Sequence, residues 1–120
     1  MSGIPSGNGT EVIKYHQVKA VSSSPTLLIP SPTADHIYTV LNITFANTTT
    51  GPEYIQMRTF TDSGLSANEH WIIRTQEIGT EQVFVWNDRF SFSGVLYLSA
   101  NLASAGDIDI HTTYIDQDWS

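Results

Sequence analysis

Asp107, Asp109 and His111 stand at alternate positions of the run Asp107-Ile108-Asp109-Ile110-His111. On an extended strand, side chains spaced i, i+2 and i+4 share one face and form a row about 13 Å long. Carboxylate oxygens suit Ca²⁺, and two carboxylates with an imidazole suit a transition metal. A straight strand spreads such ligands too far for one ion, so loops would have to complete the site. The competing reading is a solvated outer face. In that reading Ile108, Ile110, Thr112 and Tyr114 point the other way, into a core. These three residues are the metal candidates, and no cofactor is expected.

Other chemistry finds little purchase. The four histidines, His16, His36, His70 and His111, are dispersed, with no His-x-His pair and no His-Glu-x-x-His run. No Gly-x-Ser-x-Gly elbow and no phosphate-cradling glycine loop is present. Phe92-Ser93-Gly94 is only a superficial echo of such an elbow. With no cysteine, thiolate nucleophiles, thiolate metal sites and disulfides are all excluded. The expected role is binding or assembly, with no catalytic residue assigned.

Trp71, Trp86 and Trp119, with five tyrosines, could stack on sugars, but aromatics equally fill cores and interfaces. Asn8-Gly9-Thr10, Asn42-Ile43-Thr44 and Asn47-Thr48-Thr49 match the glycosylation sequon. They are read as unmodified, because Met1-Ser2-Gly3-Ile4-Pro5-Ser6-Gly7 lacks the basic start and apolar run of a signal peptide.

Composition narrows the partners. A formal net charge of −7 with five scattered basic residues opposes nucleic-acid binding, which needs cations to displace counterions. The same deficit opposes anionic membranes, and no stretch approaches the length of an apolar membrane span. Charged residues are 14% of the chain, against roughly 25% in an ordinary soluble domain. Serine, threonine and asparagine carry the polar load, which suits pleated surfaces and faces covered by a partner.

The elements that must position these residues read as strands throughout. Residues 1–10 form an expected flexible arm, 11–116 a single domain, and 117–120 a short polar tail. Strand-like runs cover Val12 to Val21, Thr26 to Ile29, His36 to Phe45, Tyr54 to Thr61, Trp71 to Thr75 and Gln82 to Trp86. Phe90 to Ala100 reads as one long strand or two short ones around Gly94, and Asp107 to Ile115 closes the chain. In the third run, Ile37, Thr39, Leu41, Ile43 and Phe45 make the expected core face. About eight short strands between turn signals predict an all-β fold. An antiparallel β-sandwich wound as an eight-stranded jelly roll is the expected form.

Two runs do not alternate. Val83-Phe84-Val85-Trp86 and Val95-Leu96-Tyr97-Leu98 are apolar on both faces. One face can fill the core and the other needs cover, from loops of the same chain or from another subunit. These eight residues are the candidates for self-association.

The chain resembles the small β-sandwich virion proteins of tailed bacteriophages. The stretches that carry the likeness are Gly9-Thr10-Glu11-Val12-Ile13-Lys14 after the arm, and His36 to Phe45. The closing pair, Gly94 to Ala100 and Asp107 to Tyr114, completes it. The resemblance implies a capsid decoration, or cement, protein made in the host cytoplasm and seated on the virion's outer surface. Its implied partner is the major capsid protein, with a trimer as the favoured homo-oligomer. The arm would dock, through Ile4, Pro5, Val12 and Ile13. A tail, neck or fibre component, or a carbohydrate- or receptor-binding module, is the alternative.

Overall fold

Alternating apolar residues, frequent threonine and well-spaced turn residues produce strands, and no helix occurs among the described residues. The structure, a computed structural model, describes residues 10–118. Nine strands occur among them: β1 (Thr10–Ala20), β2 (Thr26–Leu27), β3 (His36–Asn47), β4 (Glu53–Phe60), β5 (His70–Ile78), β6 (Val83–Trp86), β7 (Phe90–Ser93), β8 (Tyr97–Leu102) and β9 (Ile108–Asp118).

They form two antiparallel sheets packed as a sandwich. The first has the order β1-β9-β3, with β6 and β7 both pairing with the far side of β3. The second has the order β2-β8-β4-β5. Pairing runs outermost with outermost: β1 with β9, β2 with β8, β3 with β6 and β7, β4 with β5. The chain is thus a ribbon doubled back on itself and wrapped. β6 and β7 together make one broken edge strand beside β3. The break falls at Asn87-Asp88, where the Trp86 indole N–H donates to the Asp88 carbonyl at 3.1 Å.

The core lies between the sheets. Phe45 and Ile43 of β3 and Ile108 and Ile110 of β9 meet Ile55 and Met57 of β4 and Leu98 and Leu102 of β8. On β9 the expected inner face, Ile108, Ile110, Thr112 and Tyr114, is buried as predicted.

On β3 the expectation is half wrong. Ile43 and Phe45 are buried, but ahead of them Tyr38 and Val40 point inward, and Ile37, Thr39 and Leu41 do not. The register against β9 shifts between Val40 and Asn42. An extra residue in one strand reverses the parity of everything before it.

Gly94 carries the chain from one sheet to the other, between β7 and β8. Its N–H donates to the His36 carbonyl at 3.0 Å. A Cβ there would lie 1.8 Å from the Thr33 carbonyl oxygen, so only glycine fits.

Candidate functional site

Asp109 and His111 open β9 on the outer face of the five-stranded sheet, and Asp107 stands just before it. Lys19 of β1 stands directly opposite Asp109. Its ammonium donates to Asp109 Oδ1 and reaches Asp107 Oδ1 at 3.4 Å. The hydrogen bond to Asp109 pushes the Lys19 pKa up. Both carboxylates therefore converge on a cation supplied by the chain itself. Gln17, Val18, Lys19, Asp109 and His111 line an open pocket of ≈ 330 Å³. Among the described residues, no three His, Cys, Asp or Glu side chains gather within reach of one metal ion. The outer-face reading of this row fits that geometry better than the metal reading.

A second polar group gathers at the opposite end of the same sheet, on its inner face. Asp116 is buried there. Its Oδ2 accepts from Lys14 Nζ at 2.9 Å, and its Oδ1 lies 2.7 Å from His36 Nδ1. His36 also reaches Asp118 at 3.4 Å. The hydrogen bond to Asp116 raises the Lys14 pKa. Burial raises that of Tyr114, which sits opposite Lys14 in the register. Asp116 ties Lys14 of β1 and His36 of β3 to β9, so the cluster reads as a structural clasp.

Tyr38, Phe90, Phe92 and Tyr114 join in one ring cluster, while Trp71 and Trp86 lie in different sheets. Trp71 has the guanidinium carbons of Arg58 and Arg74 stacked at 4.5 and 4.6 Å from its ring centroid. Trp86 packs against the core. Trp119 lies outside the described residues. Asn47, one of the sequon asparagines, is buried, and its side-chain amide donates to the carbonyls of Gly51, Ile78 and Gly79. A glycan on that nitrogen is incompatible with this fold.

The apolar candidates separate. On β6, Val83 and Val85 face water at 57% and 48% exposure, while Phe84 and Trp86 pack on the core. Val95 is exposed in the turn after Gly94, and Leu96 packs on the core. Tyr97 is half-buried, and Leu98 is fully buried on a central strand. Leu98 is thus a core residue and has no surface to offer a second subunit. The two runs lie in different sheets and do not merge. Of the docking candidates, Val12 and Ile13 are exposed on β1, and Ile4 and Pro5 lie outside the described residues.

Sequence reasoning passed over Tyr15, which is 72% exposed on β1, two residues from Ile13 at 70%. The signal was present. Val12, Val18 and Ala20 occupy one parity of the first run, and Ile13 and Tyr15 the other. That is the same two-faced pattern that marked β6.

No protein-family model matches the chain, and no curated protein matches it. A solved chain from Bacillus endospore appendages, described as forming a novel family of disulfide-linked pili, is similar in fold. The likeness has a TM-score of 0.54 at 16% identity, over 100% of this chain and 98% of that one. It supports the sandwich fold. The cross-linking chemistry of those pili has no counterpart here, because this chain has no cysteine.

Proposed function

We propose that the chain is a structural subunit of a larger protein assembly and acts by contact, without catalysis. One observation carries the reading. Large apolar side chains stand in water along both edges of the five-stranded sheet: Ile13 and Tyr15 on β1, Val83 and Val85 on β6. A monomer that works alone has no reason to keep edge strands of that kind, which are ready contacts for another chain.

Within that class, capsid decoration of a tailed phage is the specific role we favour. It rests on the sequence resemblance, with the major capsid protein as partner and the virion's outer surface as the location. The scarcity of charge and the negative net charge suit a protein held on a capsid exterior, away from packaged DNA. That a chain of similar fold builds pili supports a polymeric setting, and a polymer of this chain would be held without disulfides between its residues.

The test is where the chain resides. Purified particles from the source are cross-linked and digested, and the peptides are identified. Cross-links to a capsid protein from β1, which carries both lysines of the chain, Lys14 and Lys19, are expected. Recovery of the chain only in the soluble fraction, free of particles, would overturn the reading.

A further inference from the structure

The outer face of the five-stranded sheet can be laid out row by row from the register. Glu11 and Gln117 begin it at one end, and Lys19 and Asp109 close it at the other. Between them lie Ile13 beside Ile115, then Tyr15 beside Thr113, then Gln17 beside His111. Across β3, the bulge residue Leu41 and the β6 residues Val83 and Val85 continue the face. Ser91 joins it through its hydroxyl, 2.8 Å from that of Thr39. The carboxylates and the ammonium are therefore confined to the two ends, and the middle mixes apolar side chains with Thr113, Asn42, Gln17 and His111. Of the eight large apolar side chains exposed among the described residues, four lie on this one face.

We propose that this face is the docking surface for a second copy of the chain, packed sheet against sheet around a two-fold axis. The proposal deepens the structural-subunit reading and names the surface that reading needs.

Two arguments select the occupant. The first is area. Four strand widths of about 4.8 Å and eleven residues at about 3.3 Å give roughly 700 Å² a side. Two such faces bury roughly 1,400 Å², within the range of stable, specific interfaces. The second is charge. A two-fold axis lying across the strands sets each strand on its own copy, running the opposite way. Glu11 of one copy then faces Lys19 of the other, and the pair occurs twice, as an isologous contact requires. Lys19 has three N–H donors, and Asp107 and Asp109 take two, leaving one for Glu11 across the interface. Tyr15 and Thr113 fall on the axis and meet their own copies. The opposite choice, with the axis along the strands, lays the Lys19–Asp109 end over Val83 and strands charge on apolar surface.

This arrangement replaces the trimer that the sequence resemblance implies. Light scattering distinguishes them, as a mass near twice or three times the 13.3 kDa of one chain. The full chain is measured across about 1–200 µM. A dimer is expected, with its dissociation constant raised at least tenfold by Tyr15→Glu and several-fold by Glu11→Lys. Tyr54→Glu, an exposed position on the other sheet, should leave it unchanged. Circular dichroism of each variant checks that the fold survives, and both positions are exposed enough that it should. A monomer across the whole range overturns the proposal. So does a dimer indifferent to Tyr15→Glu but broken by Tyr54→Glu or Val95→Glu. Neither result touches the particle experiment above: a chain found on particles yet monomeric in solution leaves the structural-subunit reading standing without this face.

Discussion

Lys14 and Asp116, 102 positions apart in the chain, hold the first and last strands together across the inner face of the sheet, Nζ to Oδ2 at 2.9 Å. Asp116 is buried and also takes His36, so its removal strands two groups at once. Asp116→Ala is expected to cost about 1–2 kcal/mol. That is less than a fully buried pair would cost, because Lys14 keeps nearly half its side chain in water. Urea denaturation of the variant against the parent chain measures it.

The same clasp sets an alkaline limit. Lys14 and Tyr114 both have folded pKa values raised above their ordinary 10.5 and 10.0. A raised value means stability that is fully present below the unfolded pKa and is lost as pH rises through the folded one. Melting temperature should stay level on these groups' account up to about pH 10 and fall above it. Lys14→Met should remove part of that alkaline fall and lower the neutral plateau by the matching amount, since the contribution it deletes is present there. A thermal melt series from pH 7 to 12 on both proteins reads the difference.

Gly94→Ala should be among the most damaging small changes available. The added methyl would collide with the Thr33 backbone, which has no flexible end to swing away. The cost is expected at about 3 kcal/mol, at the upper end of overpacking effects. A drop in denaturation midpoint with an unchanged slope is the predicted signature.

Asn47→Ala should open the end of the sandwich where β3 leaves the sheet. The side-chain amide serves the carbonyls of Gly51, Ile78 and Gly79, and its oxygen accepts from the Thr49 N–H and hydroxyl. Leaving buried carbonyls without a donor costs about 2–3 kcal/mol. Hydrogen exchange should show the loss concentrated at Thr49 and along the end of β5.

The loop between β4 and β5 is held by Asp62, whose carboxylate accepts from the N–H groups of Ala67 and Ser66 at 2.8 and 2.9 Å. Those bonds, Ala67 first, hold its pKa below 3.8. A lowered value means a contribution present above the unfolded pKa and lost as pH falls through the folded one. Asp62→Ala should therefore speed amide exchange at Ser66 and Ala67 several-fold at neutral pH. The parent loop should approach the variant's rate only in strong acid.

The sheets were legible where the pattern was local. The run Ile108, Ile110, Thr112, Tyr114 alternates without interruption, and its inner face could be read directly. At Leu41 the same reasoning failed, because a bulge inserts one residue without any compositional mark and flips the faces before it. Leu98 looked available for a partner, since nothing in Val95-Leu96-Tyr97-Leu98 says that β8 will sit between two neighbours. The surroundings of the Asp107-Asp109-His111 row depend on a distant fact, that Lys19 lands opposite Asp109. Tyr15 and Ile13 were readable from parity, but their weight depends on β1 being an edge, which only the strand order reveals.

That strand order has a mechanical side. Thr10 pairs with Asp118, so the ends of the described chain leave from the same corner of the sheet, on adjacent antiparallel strands. A pull on the two ends would load the hydrogen bonds of β1 and β9 one after another, as a zipper opens, instead of shearing the row together. Such a domain peels at low force when stretched by its termini and resists well when squeezed or pushed sideways through its faces. A subunit of this build is suited to receive stress through its broad surfaces and poorly suited to serve as a link in a chain joined end to end.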